Sequence, residues 1–221
     1  MTFNGIVACS INKGIGYNNK MPWKLKDDLR VFKEYTVGNL KNCVIMGKNT
    51  WNSIPVLEKR DILILSSTLK LDYITDMHNI VKSFTNIDEL LKFIKTKDYE
   101  NCWVIGGSTI YKQFLDLNLI NYFYITLINE EYKCDTYLQA IPKNYFQVVS
   151  KLRNEKTKNG NDTYSVIFKR AEKGMSVEYN NDKDWIIENI HFDDYPHIYF
   201  TIKKGEIEKQ TIKERLKLNS Y

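Results

Sequence analysis

Cys43-Val44-Ile45-Met46-Gly47-Lys48-Asn49-Thr50-Trp51 decides the fold. The four apolar residues before the glycine read as a short strand buried on both faces. A helix over residues 48–53 follows at once. A strand with no polar face needs cover on both sides, which helices flanking a parallel sheet supply. Working outward, Ile62-Leu63-Ile64-Leu65 closed by Ser66-Ser67 and Trp103-Val104-Ile105 closed by Gly106-Gly107 repeat the pattern. Residues 6–9 read as a further buried strand. Spacing predicts a helix over residues 25–36 and another from Asn86, with a stripe of Leu90, Leu91 and Ile94. Ser108 is expected to cap a helix running to Leu115. Residues 122–128 read as a strand, and 146–149 with 164–168 as an antiparallel pair joined across Lys158-Asn159-Gly160-Asn161. The expected class is α/β, with a mixed, mainly parallel central sheet, flanking helices and an antiparallel C-terminal strand pair.

The 221 residues amount to one ordinary domain with an appendage. Hydrophobic residues at 43% and charged residues at 27% suit a globular chain with a real core. The net charge of +5 comes from lysines spread along the length, without a long basic run. Nucleic acid is therefore not an expected partner of the main domain, while small anionic substrates are favoured. Cys9, Cys43, Cys102 and Cys134 form no CxxC pair, so free thiols in a reducing compartment are expected. His78, His191 and His197 lack metal-ligand spacing, and no metal is expected. The first residues carry no secretory pattern, and no stretch is apolar enough to span a bilayer. The expected address is cytoplasmic, with no membrane partner.

After Arg170-Ala171 the pattern changes, and Glu172-Lys173-Gly174 reads as a linker. This divides the chain into residues 1–171 and an extension, 172–221. Within the extension, residues 197–208 read as a β-hairpin turning at Lys204-Gly205, and 211–218 as a short basic helix. So small a piece either docks on the main domain or binds a protein partner.

Met21-Pro22-Trp23 leads into Lys24-Leu25-Lys26-Asp27-Asp28-Leu29-Arg30-Val31-Phe32. Leu25, Leu29 and Phe32 share one helical face, and Asp28 sits on its edge. A carboxylate aimed at an apolar cleft is costly without a partner, so its pKa should rise and it should seek a donor-rich ligand. The plainer alternative is an acid that complements the helix dipole. Gly47-Lys48-Asn49-Thr50, Ser66-Ser67 and Gly106-Gly107-Ser108-Thr109 each follow a buried strand, and two of them open helices. Helix-start amides bind anions, and ligands of open α/β sheets collect at the carboxyl ends of strands. A phosphate-bearing nucleotide is the expected occupant.

In order and spacing these residues resemble dihydrofolate reductase over residues 3–170. The resemblance is carried by Ile6-Val7-Ala8, Gly14-Ile15-Gly16, Met21-Pro22-Trp23 with Asp28, Val44 to Trp51, Ser53-Ile54-Pro55, Arg60, Ser66-Ser67, Trp103 to Ser108, Tyr111, and Thr126 followed by Asp135-Thr136. It implies reduction of 7,8-dihydrofolate by NADPH, and binding of antifolates at the same place. Asp28 then grips the pterin, assisted by Thr126, under a lid that carries Met21 and Trp23. Ile6, Val7, Leu29, Phe32, Ile54 and Ile105 surround the substrate, and Arg60 takes the carboxylate of its glutamate tail. The resemblance assigns Ala8, Ile15, Gly16 and Tyr111 to the nicotinamide end of the cofactor. It assigns Gly47, Lys48, Asn49, Thr50, Ser66, Ser67, Gly106, Gly107, Ser108 and Thr109 to the remainder, with a cis bond between Gly106 and Gly107. Two departures stand out. Asn49 holds a position that is commonly basic, which implies a softer preference for NADPH over NADH. Leu57-Glu58-Lys59-Arg60 lacks the usual glycine before the arginine, which implies an altered local backbone. Two other readings compete: a riboflavin-pathway pyrimidine reductase of related fold, and a regulatory binding protein acting through residues 172–221.

Overall fold

Each of the apolar runs becomes a strand. In chain order the elements are β1 (Thr2–Ser10), β2 (Gly14–Gly16), α1 (Lys26–Val37), β3 (Asn42–Gly47), α2 (Lys48–Ser53), β4 (Asp61–Leu65), β5 (Asp72–Ile74), β6 (Ile80–Phe84) and α3 (Ile87–Ile94). There follow β7 (Asn101–Gly106), α4 (Ser108–Asp116), β8 (Tyr122–Ile128), β9 (Thr136–Tyr137), β10 (Tyr145–Lys156), β11 (Asp162–Arg170), β12 (Ile187–Phe192) and β13 (Ile198–Ile202). The computed structural model describes residues 1–142, 145–170, 187–192 and 198–202, with the backbone alone for 146–154 and the last two stretches.

Nine strands form one sheet in the order β10-β11-β8-β1-β7-β3-β4-β6-β5. The inner pairings β8/β1, β1/β7, β7/β3, β3/β4 and β4/β6 are parallel. The outer ones, β10/β11, β11/β8 and β6/β5, are antiparallel. The sheet is therefore mixed and mainly parallel, and β10 with β11 forms the expected closing pair. Val44, Ile45, Met46, Ile62, Leu63 and Ile64 are fully buried, as two-faced cover requires. Val44, Met46, Ile62, Ile64, Val81 and Trp103 make one continuous core, against which Ile6, Ile54 and Ile105 pack. Deleting Met46 to alanine there would cost about 2–5 kcal/mol.

Several expectations need correction. Gly107, not Ser108, holds the cap position of α4, and the Ser108 hydroxyl instead donates to the Tyr137 carbonyl at 2.7 Å. Leu29 does not join the core with Leu25. It is 50% exposed, whereas Leu25 is buried with Trp23 and Ile128. The apolar side of α1 thus forms an open wall. The strand expected near 197 exists as β13, but its partner is the preceding β12, with Ile187 opposite Ile202 and Phe192 opposite Ile198. Ile187-Glu188-Asn189-Ile190-His191-Phe192 is a longer apolar-bearing run than anything after Gly205, and Asp193, Asp194 and Pro196 between the strands are turn-forming types. The turn expected at Lys204-Gly205 and the helix expected over 211–218 lie outside the described residues. Contacts divide the chain into two compact units, Met1–Val177 and Glu178–Tyr221.

The loop between β1 and α1 is held at several points. β2 pairs with β9. The Asp135 amide donates to the Gly16 carbonyl at 3.0 Å, and its carboxylate accepts from the Asn18 amide at 2.7 Å. The bonds from Asn18 and Thr136 hold the Asp135 carboxyl below its ordinary value, so this latch is intact above the usual carboxylate pKa and is lost only as pH falls through the depressed one. Further along, Trp23 is buried and meets Tyr132 edge-on at 5.3 Å. The Tyr132 hydroxyl donates to Glu130 at 3.1 Å, and Glu130 in turn accepts from Asn159 in the turn between β10 and β11. Asp135→Ala is expected to speed hydrogen exchange of the Asn18 amide about tenfold or more, the worth of one charge-assisted bond. Protection in β3 and β7 should not change. An Asn18 amide as protected in the variant as in the parent would remove the latch.

Candidate active site

The sheet topology brings the carboxyl ends of β1 and β8 together, with Ala8 beside Thr126 and Ile6 beside Tyr124. α1 begins over those ends and carries Asp28 in its first turn. Asp28, Ile6 and Thr126 line one crevice with Val31, Tyr35 and Tyr124. Thr126 is buried, and Asp28 is half-buried. The charge of Asp28 is felt by its neighbours. Burial first, and Asp28 second, push the Cys9 thiol up to about 12, while Lys13 opposes them. The Tyr111 hydroxyl is raised by burial, then by Cys9 and Asp28. It remains a donor, giving its proton to the Ile6 carbonyl at 2.7 Å. That carbonyl keeps a second lone pair for a ligand amine. Among the described residues no three His, Cys, Asp or Glu side chains gather to hold a metal ion. No helix among them is long and apolar enough to cross a membrane.

The start of α1 is held in an unusual way. Leu25 occupies the cap position and offers no side-chain hydrogen bond. The carboxylate of Glu155, far away on β10, accepts from the amides of Asp27 and Asp28, each at 3.1 Å. Sequence reasoning missed Glu155 because no local pattern ties it to a helix 127 positions earlier.

Beside the last turn of α1, just before β4, lies Arg60. Its guanidinium is buried and donates to the Thr36 hydroxyl, which donates to the Phe32 carbonyl at 2.7 Å. Its charge lies 5.9 Å from the centre of the Phe32 ring. Burial lowers its pKa, partly opposed by Glu58. Among the described residues Arg60 has no ion-pair partner, and its Nε is buried without a hydrogen bond. An anionic ligand group is what such a site lacks. Before Arg60, Lys59 takes the left-handed conformation at φ 63° and donates its amide to Asn79 at 2.9 Å.

The neighbouring strands β7, β3 and β4 end in a row of helix starts and turns. Gly47 and Gly107 hold the cap positions of α2 and α4 with no side-chain hydrogen bond. They end the neighbouring strands β3 and β7, where Met46 lies beside Gly106. A Cβ on Gly107 would lie 3.5 Å from the Thr50 hydroxyl, so the two helix starts nearly touch. Gly106 has φ 111°, and a Cβ there would press on the Tyr111 ring at 3.0 Å. The Gly106–Gly107 bond is cis. Lys48 donates to the Thr68 hydroxyl at 3.0 Å, which joins α2 to the turn after β4. Within that turn the Ser66 hydroxyl accepts from the amides of Thr68 and Leu69. Asn49, Ser67 and Thr109 lie exposed along this row. Uncapped amides, glycines that allow close approach and a nearby lysine fit a dinucleotide carrying phosphates. Ala8 is half-buried on β1, and Ile15 and Gly16 are half-buried on β2. Val7 and Ile105 are half-buried on β1 and β7, and Ile54 follows α2. Met21 is 50% exposed in the loop between β2 and α1.

Residues 2–173 match the sequence model of a family described as dihydrofolate reductase. The chain is 32% identical over 192 residues to a bifunctional dihydrofolate reductase-thymidylate synthase of Plasmodium chabaudi, covering 80% of this chain and 33% of that protein. It is 36% identical over 193 residues to the protein of the same description from Paramecium tetraurelia, covering 86% and 39%. It is 34% identical over 173 residues to a dihydrofolate reductase of Heliothis virescens, covering 73% and 92%. The chain thus spans a third to two fifths of these bifunctional relatives and most of the insect one. With a family match over residues 2–173 and relatives at 32–36% identity, the chain belongs to the dihydrofolate reductase family.

Proposed function

We propose that this chain reduces 7,8-dihydrofolate to 5,6,7,8-tetrahydrofolate. The observation that carries the reading is the crevice shared by Asp28, Ile6 and Thr126, with the buried guanidinium of Arg60, which has no ion-pair partner among the described residues and donates to Thr36 near the end of the same helix. Gly47, Lys48, Thr50, Ser66, Gly106 and Gly107 would hold NADPH, which would supply the hydride for pterin C6. Asp28 accepts two N–H donors from the 2-amino-pyrimidine edge, a charge-assisted bidentate contact, and Thr126 donates to the same carboxylate. So held, the pterin is oriented and polarised, and a water delivers the proton to N5. Leu29, Phe32 and Ile54 form walls that keep the rings dry. Arg60 pairs with the tail carboxylate through its planar fork. Met21 and Trp23 close the lid and exclude bulk water during transfer.

Asp28→Asn keeps the shape and removes the charge. It is expected to lower kcat by about two orders of magnitude or more at neutral pH, followed by loss of reduced-nicotinamide absorbance, with NADPH affinity unchanged. Unchanged turnover would overturn the assignment. Arg60→Lys keeps the charge and loses the fork. KM for dihydrofolate is expected to rise roughly tenfold to a hundredfold while kcat moves less than about threefold. A drop in kcat with KM unmoved would place Arg60 outside the substrate site.

The reading confines catalysis to residues 1–171. The family match stops at residue 173, and the contacts divide the chain after Val177. A chain ending at Val177 is expected to keep kcat within about twofold, as a separable module allows. Aggregation or loss of turnover would make the extension part of the enzyme instead of a partner-binding piece.

A further inference from the structure

We propose that Glu155 is a positioning residue for Asp28: it fixes the first turn of α1 from β10, so that the Asp28 carboxylate meets the pyrimidine edge of its ligand in register. This rests on the reading of Asp28 given above.

The second and third amides of a helix are normally served by the side chain at the cap position. In α1 that position belongs to Leu25, whose side chain is buried with Trp23 and Ile128 and cannot accept a hydrogen bond. The two amides concerned are those of Asp27 and Asp28, and the two oxygens of Glu155 take one each, both at 3.1 Å. The local cap has been exchanged for a remote one. Packing does not do the work in its place, since Thr36 is the only buried residue within α1. The first turn is therefore located by Leu25 on one side and by Glu155 on the other.

The strand is shaped for this. The ladder between β10 and β11 loses register between Arg153 and Lys156, an irregularity that releases Glu155 from the pleat. Such bulges re-aim a side chain beside functional sites. Both flanks of this one are tied. The Thr163 hydroxyl donates to the Glu155 carbonyl at 3.1 Å, and Lys156 pairs with Asp162 at 3.1 Å. Thr163 is fully buried, so the base of the Glu155 side chain rests on rigid structure. A bidentate contact tolerates only small errors in placement, and the amide that Glu155 fixes is that of Asp28 itself.

The test is a double-mutant cycle on the full chain, reading the dissociation constant of trimethoprim, a 2,4-diaminopyrimidine, by titration calorimetry. Glu155→Ala is expected to weaken trimethoprim about tenfold when Asp28 is present and less than about twofold when combined with Asp28→Asn, because the two act as a unit. Glu155→Gln, which keeps one acceptor oxygen, should fall between, at about threefold, and it carries the test if the alanine variant fails to fold. NADPH affinity should stay within about twofold throughout. Equal losses with and without Asp28 would show a merely structural glutamate, and no loss from either Glu155 variant would remove it altogether. Each result overturns this inference and leaves the proposed function standing. If Asp28→Asn alone binds trimethoprim as tightly as the parent, the reading of Asp28 fails and this inference fails with it.

Discussion

Leu25 points into the core beside Trp23 and Ile128, at the position where a helix usually places a polar cap. That apolar contact fixes where α1 begins, and the start of α1 fixes Asp28. Burying a leucine there contributes about 1.5–3 kcal/mol. It leaves two amides without a local acceptor, which Glu155 supplies from the other end of the sequence. The β10/β11 pair therefore does more than close the sheet. Its turn also holds Glu130 through Asn159, and Glu130 holds the tyrosine that packs on Trp23. Both ends of the segment from Trp23 to Asp28 are referenced to one hairpin.

The helix starts divide in a way that follows their positions. α3 begins with Asn86, whose side chain accepts from the Glu89 amide at 2.9 Å, while Glu89 accepts from the Thr85 amide and hydroxyl. That is a reciprocal cap of ordinary design. α2 and α4, at the ends of β3 and β7, begin with glycines and have no side-chain cap. A free helix start is a small liability in water and an asset beside an anion. Caps are withheld where the strand ends face the cleft and present where they do not.

How much of this the sequence discloses depends on the range of the interaction. Continuous apolar runs such as Val44-Ile45-Met46 show themselves because burial on both faces excludes polar residues. Residues 48–53 form the helix that follows, as read. β5 and β6 escape notice because β5 is three exposed residues at the sheet edge, too short to show a period, and β6 mixes Lys82 and Ser83 into its apolar run. Ser108 misleads because the helix starts one residue earlier than a serine cap would allow: Gly107 takes the cap position, Ser108 is the first helical residue, and its hydroxyl donates to the Tyr137 carbonyl. Lys59 takes the left-handed conformation that favours glycine, with its amide donating to Asn79, and its residue type gives no sign of it. Asp28 and Arg60 are legible as residues. Their supports, Glu155 and Thr36, are not, because those contacts are set by tertiary structure.

Arg60 and Asp28 also share a frame. The guanidinium of Arg60 donates to Thr36, and Thr36 is the one buried residue of α1. Both charges are thus referenced to the same helix, one at its first turn and the other near its last. A rise of about 1.5 Å per residue separates positions 28 and 36 by about 12 Å along the axis. A ligand that satisfies both must carry a donor-rich edge at one end and an anion at the other, with a body long enough to reach between them. The half-buried Phe32 and the exposed Leu29 lie on the stretch that such a body would cover. A short pyrimidine could engage Asp28 alone, and a simple carboxylate could engage Arg60 alone. On the proposed function, the helix would select, by its rigidity, for molecules in which the two are joined at a fixed distance.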